Sequence, residues 1–249
     1  MKDDLKYLFD LNGYVLLENI ISPSEVTRIN QVIASLEQCN TENFPPNVIQ
    51  GKPRTPEELF VSNVVEADPA ITALVDIEPV IDIIKFVTCG LFRLNHSYSL
   101  SHWKDAQTPL HMGGTPIHPK ANYHCTGDQI FSCVTKAAFP IANHRRDDGC
   151  FAVVPGSHKS SFPSPYGTKP DEHPSLIPID ATPGDAIVFT EAMTHGSLQN
   201  LTGNCRRSVF LVYSVGYMPD WTKFGLRFSD EFTSSLDDRK KEIVRLKVD

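Results

Sequence analysis

The stretch PGDAIVFTEAMTHGS (residues 183–197), followed shortly by RRSVFLVYSV (206–215), decides how this chain is read. Pro-Gly-Asp is a turn signal, and AIVFT (186–190) is a short apolar run of β type. SVFLVYSV (208–215) is a second such run. A strand, a turn and a returning strand would place Arg206 near His195 in one sheet. That arrangement sets a candidate metal ligand beside a fixed cation whose planar fork matches a carboxylate.

Outward from this hairpin the β texture continues. LFRLNHSYSL (91–100), IFSCVTKAAF (130–139) and CFAVV (150–154) read as strands, separated by turns at RRDDG, PGSH and TPGD. Residues 160–173, rich in Ser and Pro, read as a loop. The N-terminal part reads as helical instead. In SPSEVTRINQVIASLEQ (22–38), Ser22 is an N-cap, Pro23 occupies the first helical position and Glu25 completes a capping box. Val26, Ile29, Ile33 and Leu36 then recur at helical spacing. GYVLLE (13–18) reads as a short strand before it. A second helical region spans 68–90, divided at Pro79 and ended by Gly90.

Helices first and strands later predict an α+β, mainly β fold, with N-terminal helices packed on an antiparallel barrel or sandwich. With no internal repeat or low-complexity linker, the expected organisation is one domain over 1–249. Its parts are a mostly helical stretch (1–90), a barrel core (91–217) and a C-terminal segment (218–249).

The chain has 249 residues, 41% hydrophobic and 21% charged, with a formal net charge of −7. That balance argues against a nucleic-acid polymer or an anionic membrane as partner, while leaving room for a small basic pocket. The six cysteines form no Cys-x-x-Cys pair, and MKDDLKYLFDLNG is too acidic and too short of apolar length to serve for export. No apolar run approaches the roughly 20 residues of a membrane span. A cytoplasmic protein with reduced thiols is expected.

Of nine histidines, the combination that points to chemistry is His111, His195 and Arg206. His111 lies in LHMGG (110–114). With His118 and His124 it gives a spacing that fits no compact zinc motif. Those two read as loop residues near a pocket. His158 of PGSHK reads as structural, fixing its turn, and Asp185 reads as a turn residue.

FDLNGYVLLENIISPSEVTRI, DDGCFAVVPGSHKSSFP and PGDAIVFTEAMTHGSLQN with RRSVFLVYS together resemble the phytanoyl-CoA dioxygenase-like branch of the iron(II)- and 2-oxoglutarate-dependent oxygenases. The resemblance covers most of the chain. It implies a double-stranded β-helix, a jelly-roll (cupin-like) barrel with iron at its mouth. It also implies His111 and His195 as metal ligands and Arg206 as the partner of the distal carboxylate of 2-oxoglutarate, with Ser197 adding a hydrogen bond. The family pattern carries an acidic residue two positions after the first histidine. Here that position is Gly113, and no Asp or Glu lies between Asp105 and Asp128.

Iron(II)- and 2-oxoglutarate-dependent halogenases resemble this departure, with a halide in place of the carboxylate. The resemblance therefore implies a halogenase using Fe(II), 2-oxoglutarate, O2 and chloride, with Gly113 in the halide pocket and a small soluble metabolite as substrate. A hydroxylase of the same family is the alternative, its site completed by water or by a carboxylate such as Asp105 or Asp128. A ligand-binding jelly roll without iron chemistry is a third reading, and the Gly-Gly pair also reads as a plain turn. Arg145 and Arg146 read either as a solvated turn or as a grip on the phosphate of a nucleotide substrate, since the chain more faintly resembles nucleotide halogenases of nucleoside-antibiotic pathways. Tyr123, Phe131 and Trp221 are candidates to stack a purine, though such residues are more often part of a core.

Overall fold

The computed structural model describes residues 1–112, 121–219 and 228–244. Helix α1 (Asp3–Asn12) leads into strand β1 (Tyr14–Leu17) and helix α2 (Pro23–Gln38). The predicted capping box of α2 is present: the Ser22 hydroxyl accepts from the Glu25 N–H, and the Glu25 side chain accepts from the Ser22 N–H. Val26, Ile29, Ile33 and Leu36 form its buried face. Strands β2 (Ile49–Gln50) and β3 (Glu58–Ser62) follow, then helices α3 (Pro69–Thr72) and α4 (Glu78–Val87), with Pro79 in the first turn of α4.

The strand-rich part comprises β4 (Phe92–His102), β5 (Thr108–His111), β6 (Tyr123–Thr126), β7 (Gln129–Ser132), β8 (Val134–Ala142), β9 (Phe151–Val153), β10 (Ile177–Pro178), β11 (Ala186–Thr190), β12 (His195–Ser197) and β13 (Arg206–Val215). Helices α5 (Asp230–Ser235) and α6 (Asp238–Val244) close the described chain.

These strands build an α+β, mainly β double-stranded β-helix with helices on its outer face. One sheet has seven strands in the order β1-β11-β8-β13-β4-β3-β2, a second has four in the order β10-β9-β12-β5, and β6 and β7 form a hairpin. Alternation along the long strands sorts side chains between two faces. On β13, Val209, Leu211 and Tyr213 join the helices in one core, while Phe210 turns into the barrel. On β11, Ala186 and Val188 face the helices, and Ile187 and Phe189 meet Phe151 and Val153 of the smaller sheet.

The adjacent arginines at the start of β13 divide the same way. Arg206 points into the barrel. Arg207 points outward, where its guanidinium grips both carboxylate oxygens of the buried Glu37 of α2, at 2.7 and 2.6 Å. This two-pronged pair pins the helix to the sheet.

One expectation is extended and one is corrected. The first 90 residues are mostly helical, and besides β1, the expected GYVLLE strand, they add β2 and β3 to the larger sheet. There β1 pairs antiparallel with β11, Tyr14 opposite Phe189. The correction is that His195 and Arg206 do not share a sheet. After β11 the chain turns at Glu191–Thr194 and crosses to the smaller sheet as β12, before returning to the larger one as β13. The two residues therefore face each other across the barrel interior. Among the described residues, no helix is long and apolar enough to cross a membrane, and all six cysteines are free thiols.

Candidate metal and cosubstrate site

Strands β5 and β12 pair antiparallel with His111 directly opposite His195, and their ring centroids lie 4.2 Å apart at 54°. Gly196 permits this approach. A Cβ there would stand 2.6 Å from the Thr108 carbonyl oxygen, a distance no side chain tolerates. Each histidine donates its Nδ1–H to the carbonyl two residues earlier on its own chain: His111 to Pro109 at 2.9 Å, His195 to Met193 at 2.7 Å. These bonds fix the tautomer and leave both Nε2 lone pairs free, the arrangement a metal-binding imidazole needs. The ring of His195 is held between Phe189, at 4.8 Å, and Phe151, at 5.7 Å. Desolvation holds both imidazoles below the ordinary histidine pKa, most strongly that of the buried His195, while His111 keeps exposed surface; the neutral, ligating form prevails.

The histidines sit at one end of a cavity of about 130 Å³, whose lining includes Thr108, Ser197, Tyr98, Phe210 and Arg206. Arg206 is buried. Its Nη1 donates to the Gly149 carbonyl, its Nε has no partner, and burial pulls its pKa down to about 10. Gly149 holds a left-handed conformation at φ +79°, packed so closely on Leu198 and Asn200 that only glycine fits. Ser197 accepts the Thr108 N–H at 2.9 Å and keeps its own proton to donate. Tyr98 is stacked between Phe60 and Phe210, each ring 4.7 Å away, giving the cavity an apolar wall. Beside Arg206, the His102 Nε2–H donates to Glu58 at 3.0 Å.

An unpaired guanidinium nitrogen at one end and two free imidazole nitrogens at the other suit a dicarboxylate that also reaches a metal. The residues present thus fit iron and 2-oxoglutarate.

His111 also lines a second cavity of about 660 Å³, walled by 154–157, 160, 162–168, His173, Ser175 and Thr194. Its rim carries the exposed rings of Phe162 and Tyr166.

The structure brings His111, His195, Ser197 and Arg206 together and disperses the other candidates. Arg145 and Arg146 are exposed on the turn after β8 and line neither cavity. Tyr123 donates its hydroxyl to Asp10 at 2.6 Å and meets the His158 ring edge-on. His124 is exposed beside Phe131 on the β6–β7 hairpin, and these three also lie outside both cavities. His158 donates to the Asp10 carbonyl at 3.0 Å, tying the PGSHK turn to α1. Asp185 accepts from the Thr182 and Asn19 N–H groups, a turn role as expected. Gly113, His118 and Trp221 lie outside the described residues.

The extended segment assumed for LHMGG ends early. β5 stops at His111, and Met112 adopts φ +60°, so strand alternation does not carry on from the histidine. Asp105 is exposed and bonded to Gln199, and Asp128 is exposed on the hairpin turn. The carboxylate beside the histidines is Glu191, overlooked in the sequence. It is buried, with Oε2 3.9 Å from His195 Nε2 and 2.7 Å from the buried Lys136 Nζ. The available signal was a charge inside an otherwise apolar run, in both FTEAM and VTKAAF.

The fold is shared with solved enzymes. HygX from Streptomyces hygroscopicus, with nickel and 2-oxoglutarate bound, superposes at a TM-score of 0.78 and 20% identity, over 92% of this chain and 93% of that chain. SnoN, a non-heme alpha ketoglutarate dependent epimerase from nogalamycin biosynthesis, gives 0.64 and 16%, over 98% and 93%. Among curated proteins, dioxygenase lolE1 of Epichloe uncinata is 38% identical over 74 residues, 28% of this chain and 29% of that protein. Dioxygenase af480 of Aspergillus fumigatus is 28% identical over 103 residues, 41% of this chain and 32% of that protein. The chain thus spans about a third of the length of these two relatives. The model of one family, described as Phytanoyl-CoA dioxygenase (PhyH), matches residues 9–208, which take in α2, both histidines and Arg206. With the fold and the motifs in agreement, the chain belongs to the phytanoyl-CoA dioxygenase family.

Proposed function

We propose that this chain catalyses iron(II)- and 2-oxoglutarate-dependent oxidation of an unactivated C–H bond in a small, uncharged molecule. The observation that carries this reading is the single cavity bounded by two Nε2-free histidines and by a buried arginine with an unpaired Nε. His111 and His195 would hold the metal, which supplies the oxidising chemistry when bound. Arg206 and Ser197 would bind and orient the distal carboxylate of 2-oxoglutarate, and Phe60, Tyr98 and Phe210 would exclude water from it. In hydroxylation, R–H, O2 and 2-oxoglutarate give R–OH, succinate and carbon dioxide, one oxygen atom entering each of the first two products.

The larger cavity supports an uncharged substrate. Among its described lining residues there is no Lys, Arg, Asp or Glu, and Phe162 and Tyr166 offer rings at the rim. HygX, whose structure has been solved with hygromycin B bound, is a similar fold that accepts a small molecule. The nucleotide reading rests on Arg145 and Arg146, which line neither cavity.

Halogenation is the second reading, favoured by the glycine at position 113. It consumes chloride and a proton with R–H, O2 and 2-oxoglutarate, giving R–Cl, succinate, carbon dioxide and water. The test is anaerobic loading with iron(II) and 2-oxoglutarate, then oxygen, with succinate and substrate-derived products followed in chloride and in chloride-free buffer. Succinate from the native protein and none from His111→Ala is the expected result. A native protein that takes up no iron(II) sinks the proposal, and a chlorinated product selects the second reading.

A further inference from the structure

We infer that Glu191 is the third protein ligand of the metal, supplying from the turn after β11 the carboxylate that position 113 lacks. The inference rests on the reading of His111 and His195 as iron ligands.

Three observations carry it. First, Glu191 Oε2 lies 3.9 Å from the free Nε2 of His195. Among the described residues, no other carboxylate oxygen lies within ion-pair distance of either histidine of the site. The neighbouring Glu58 is engaged by His102 on the Arg206 side of the cavity, and Asp105 is at the surface. Two donors on adjacent positions of one metal stand about 3 Å apart, given bonds of about 2.1 Å. Rotation of one glutamate side chain therefore spans the difference. Second, the carboxylate is buried at 2% exposure, in a place where an ionised group needs a cation. Third, its present cation is an incomplete partner. Lys136 Nζ is 2.7 Å from Oε2, yet Oε2 receives no aligned hydrogen bond.

As found, no trio of ligating side chains converges among the described residues, and Glu191 Oε2 lies closer to Lys136 Nζ than to His195. Metal binding would draw Oε2 to the histidines and leave Lys136 to steady the other oxygen. Lys136 projects into the barrel from β8, where it pairs with Phe189 and lies 6.0 Å from the Tyr98 ring centroid. It is placed to orient the ligand rather than to replace it.

Such a site is a two-histidine, one-carboxylate centre assembled from different elements than the usual adjacent pair. With Glu191 as a third protein donor, the place that a halide takes in the second reading would be filled by the chain's own carboxylate. The deepened reading is therefore hydroxyl transfer, with the balance given above.

The test is anaerobic titration of the full chain with iron(II), and with cobalt(II) as a spectroscopic stand-in, for the native protein, Glu191→Gln, Glu191→Ala and His195→Ala. Loss of an outer partner of a metal ligand costs about 10- to 100-fold in affinity. Loss of Glu191 should cost at least that, and the ligand-field spectrum of cobalt should change. Chloride should leave the native spectrum unaltered but shift that of Glu191→Ala, by entering the vacated position. Native-like affinity in folded Glu191→Gln, or a chloride-dependent spectrum in the native protein, would overturn the assignment. The native chloride titration decides the question even where the variants fail to fold. Loss of metal in His195→Ala alone removes Glu191 and keeps the iron reading, whereas retention there removes both.

Discussion

At the scale of single residues, function concentrates in groups whose hydrogen bonding is deliberately incomplete. Buried polar atoms are normally satisfied. Here Arg206 leaves a buried Nε open in a cavity also lined by Lys52 and Glu58, and the site histidines each leave Nε2 without a hydrogen bond. Arg206→Lys should raise the 2-oxoglutarate concentration needed for half-saturation about tenfold or more, roughly 1.4 kcal/mol, because a point charge cannot reproduce a planar fork. The fold should persist. Equilibrium binding of 2-oxoglutarate to metal-loaded protein checks this, and an unchanged constant would move the carboxylate grip elsewhere.

At the scale of elements, the site depends on how strands are pressed together and how the helical layer is fastened. β5 and β12 meet at Gly196, and α2 is held by Glu37, which also accepts the Ser101 hydroxyl at 2.6 Å. Glu37→Ala would leave Arg207 at a half-buried site with Asn30 but no carboxylate to balance its charge. Removing one member of a buried pair typically costs about 3 kcal/mol or more. A denaturant midpoint lowered accordingly, with metal affinity retained, is the expected outcome. An unchanged midpoint would show that the apolar face of α2 alone holds the helix.

At the scale of the whole molecule, stability should depend on acid through groups far apart in sequence. Burial lowers His102 and His158 from the ordinary 6.5 to about 4, and hydrogen bonding from His102 lowers Glu58 from 4.5 to about 2. Between pH 6.5 and 4 the unfolded chain binds protons at the two histidines that the folded chain refuses, so stability falls as pH falls. Each such group contributes a slope of about 1.4 kcal/mol per pH unit. Glu58 extends the loss from about 4.5 down towards 2. Melting temperatures of metal-free protein should be level above pH 7 and decline steadily below 6.5. A flat profile down to pH 4.5 would contradict the burial of these histidines as neutral groups.

The sequence by itself determined what local chemistry can encode. The Ser22–Glu25 capping box, the helical repeat to Leu36, the AIVFT strand and the turn at Asp185 are written in adjacent residues, and so are the motifs around His195 and Arg206. The short strands β2, β3, β5 and β12 were not legible, since none is a continuous apolar run like AIVFT and each is defined by its partners rather than by a period of its own. Nor could local pattern show that β12 leaves the sheet of β11, which sets His195 across a cavity from Arg206 instead of beside it. The carboxylate question shows the same limit. Strand alternation directs attention two residues past His111, to Gly113. Glu191 stands only four residues before His195, 3.9 Å from its Nε2, and it takes tertiary pairing of β5 with β12 to set that local pair beside His111, 84 positions before His195. Adjacency in a folded barrel is fixed by burial and sheet pairing between distant segments, and neither leaves a mark at the position where a ligand is missing.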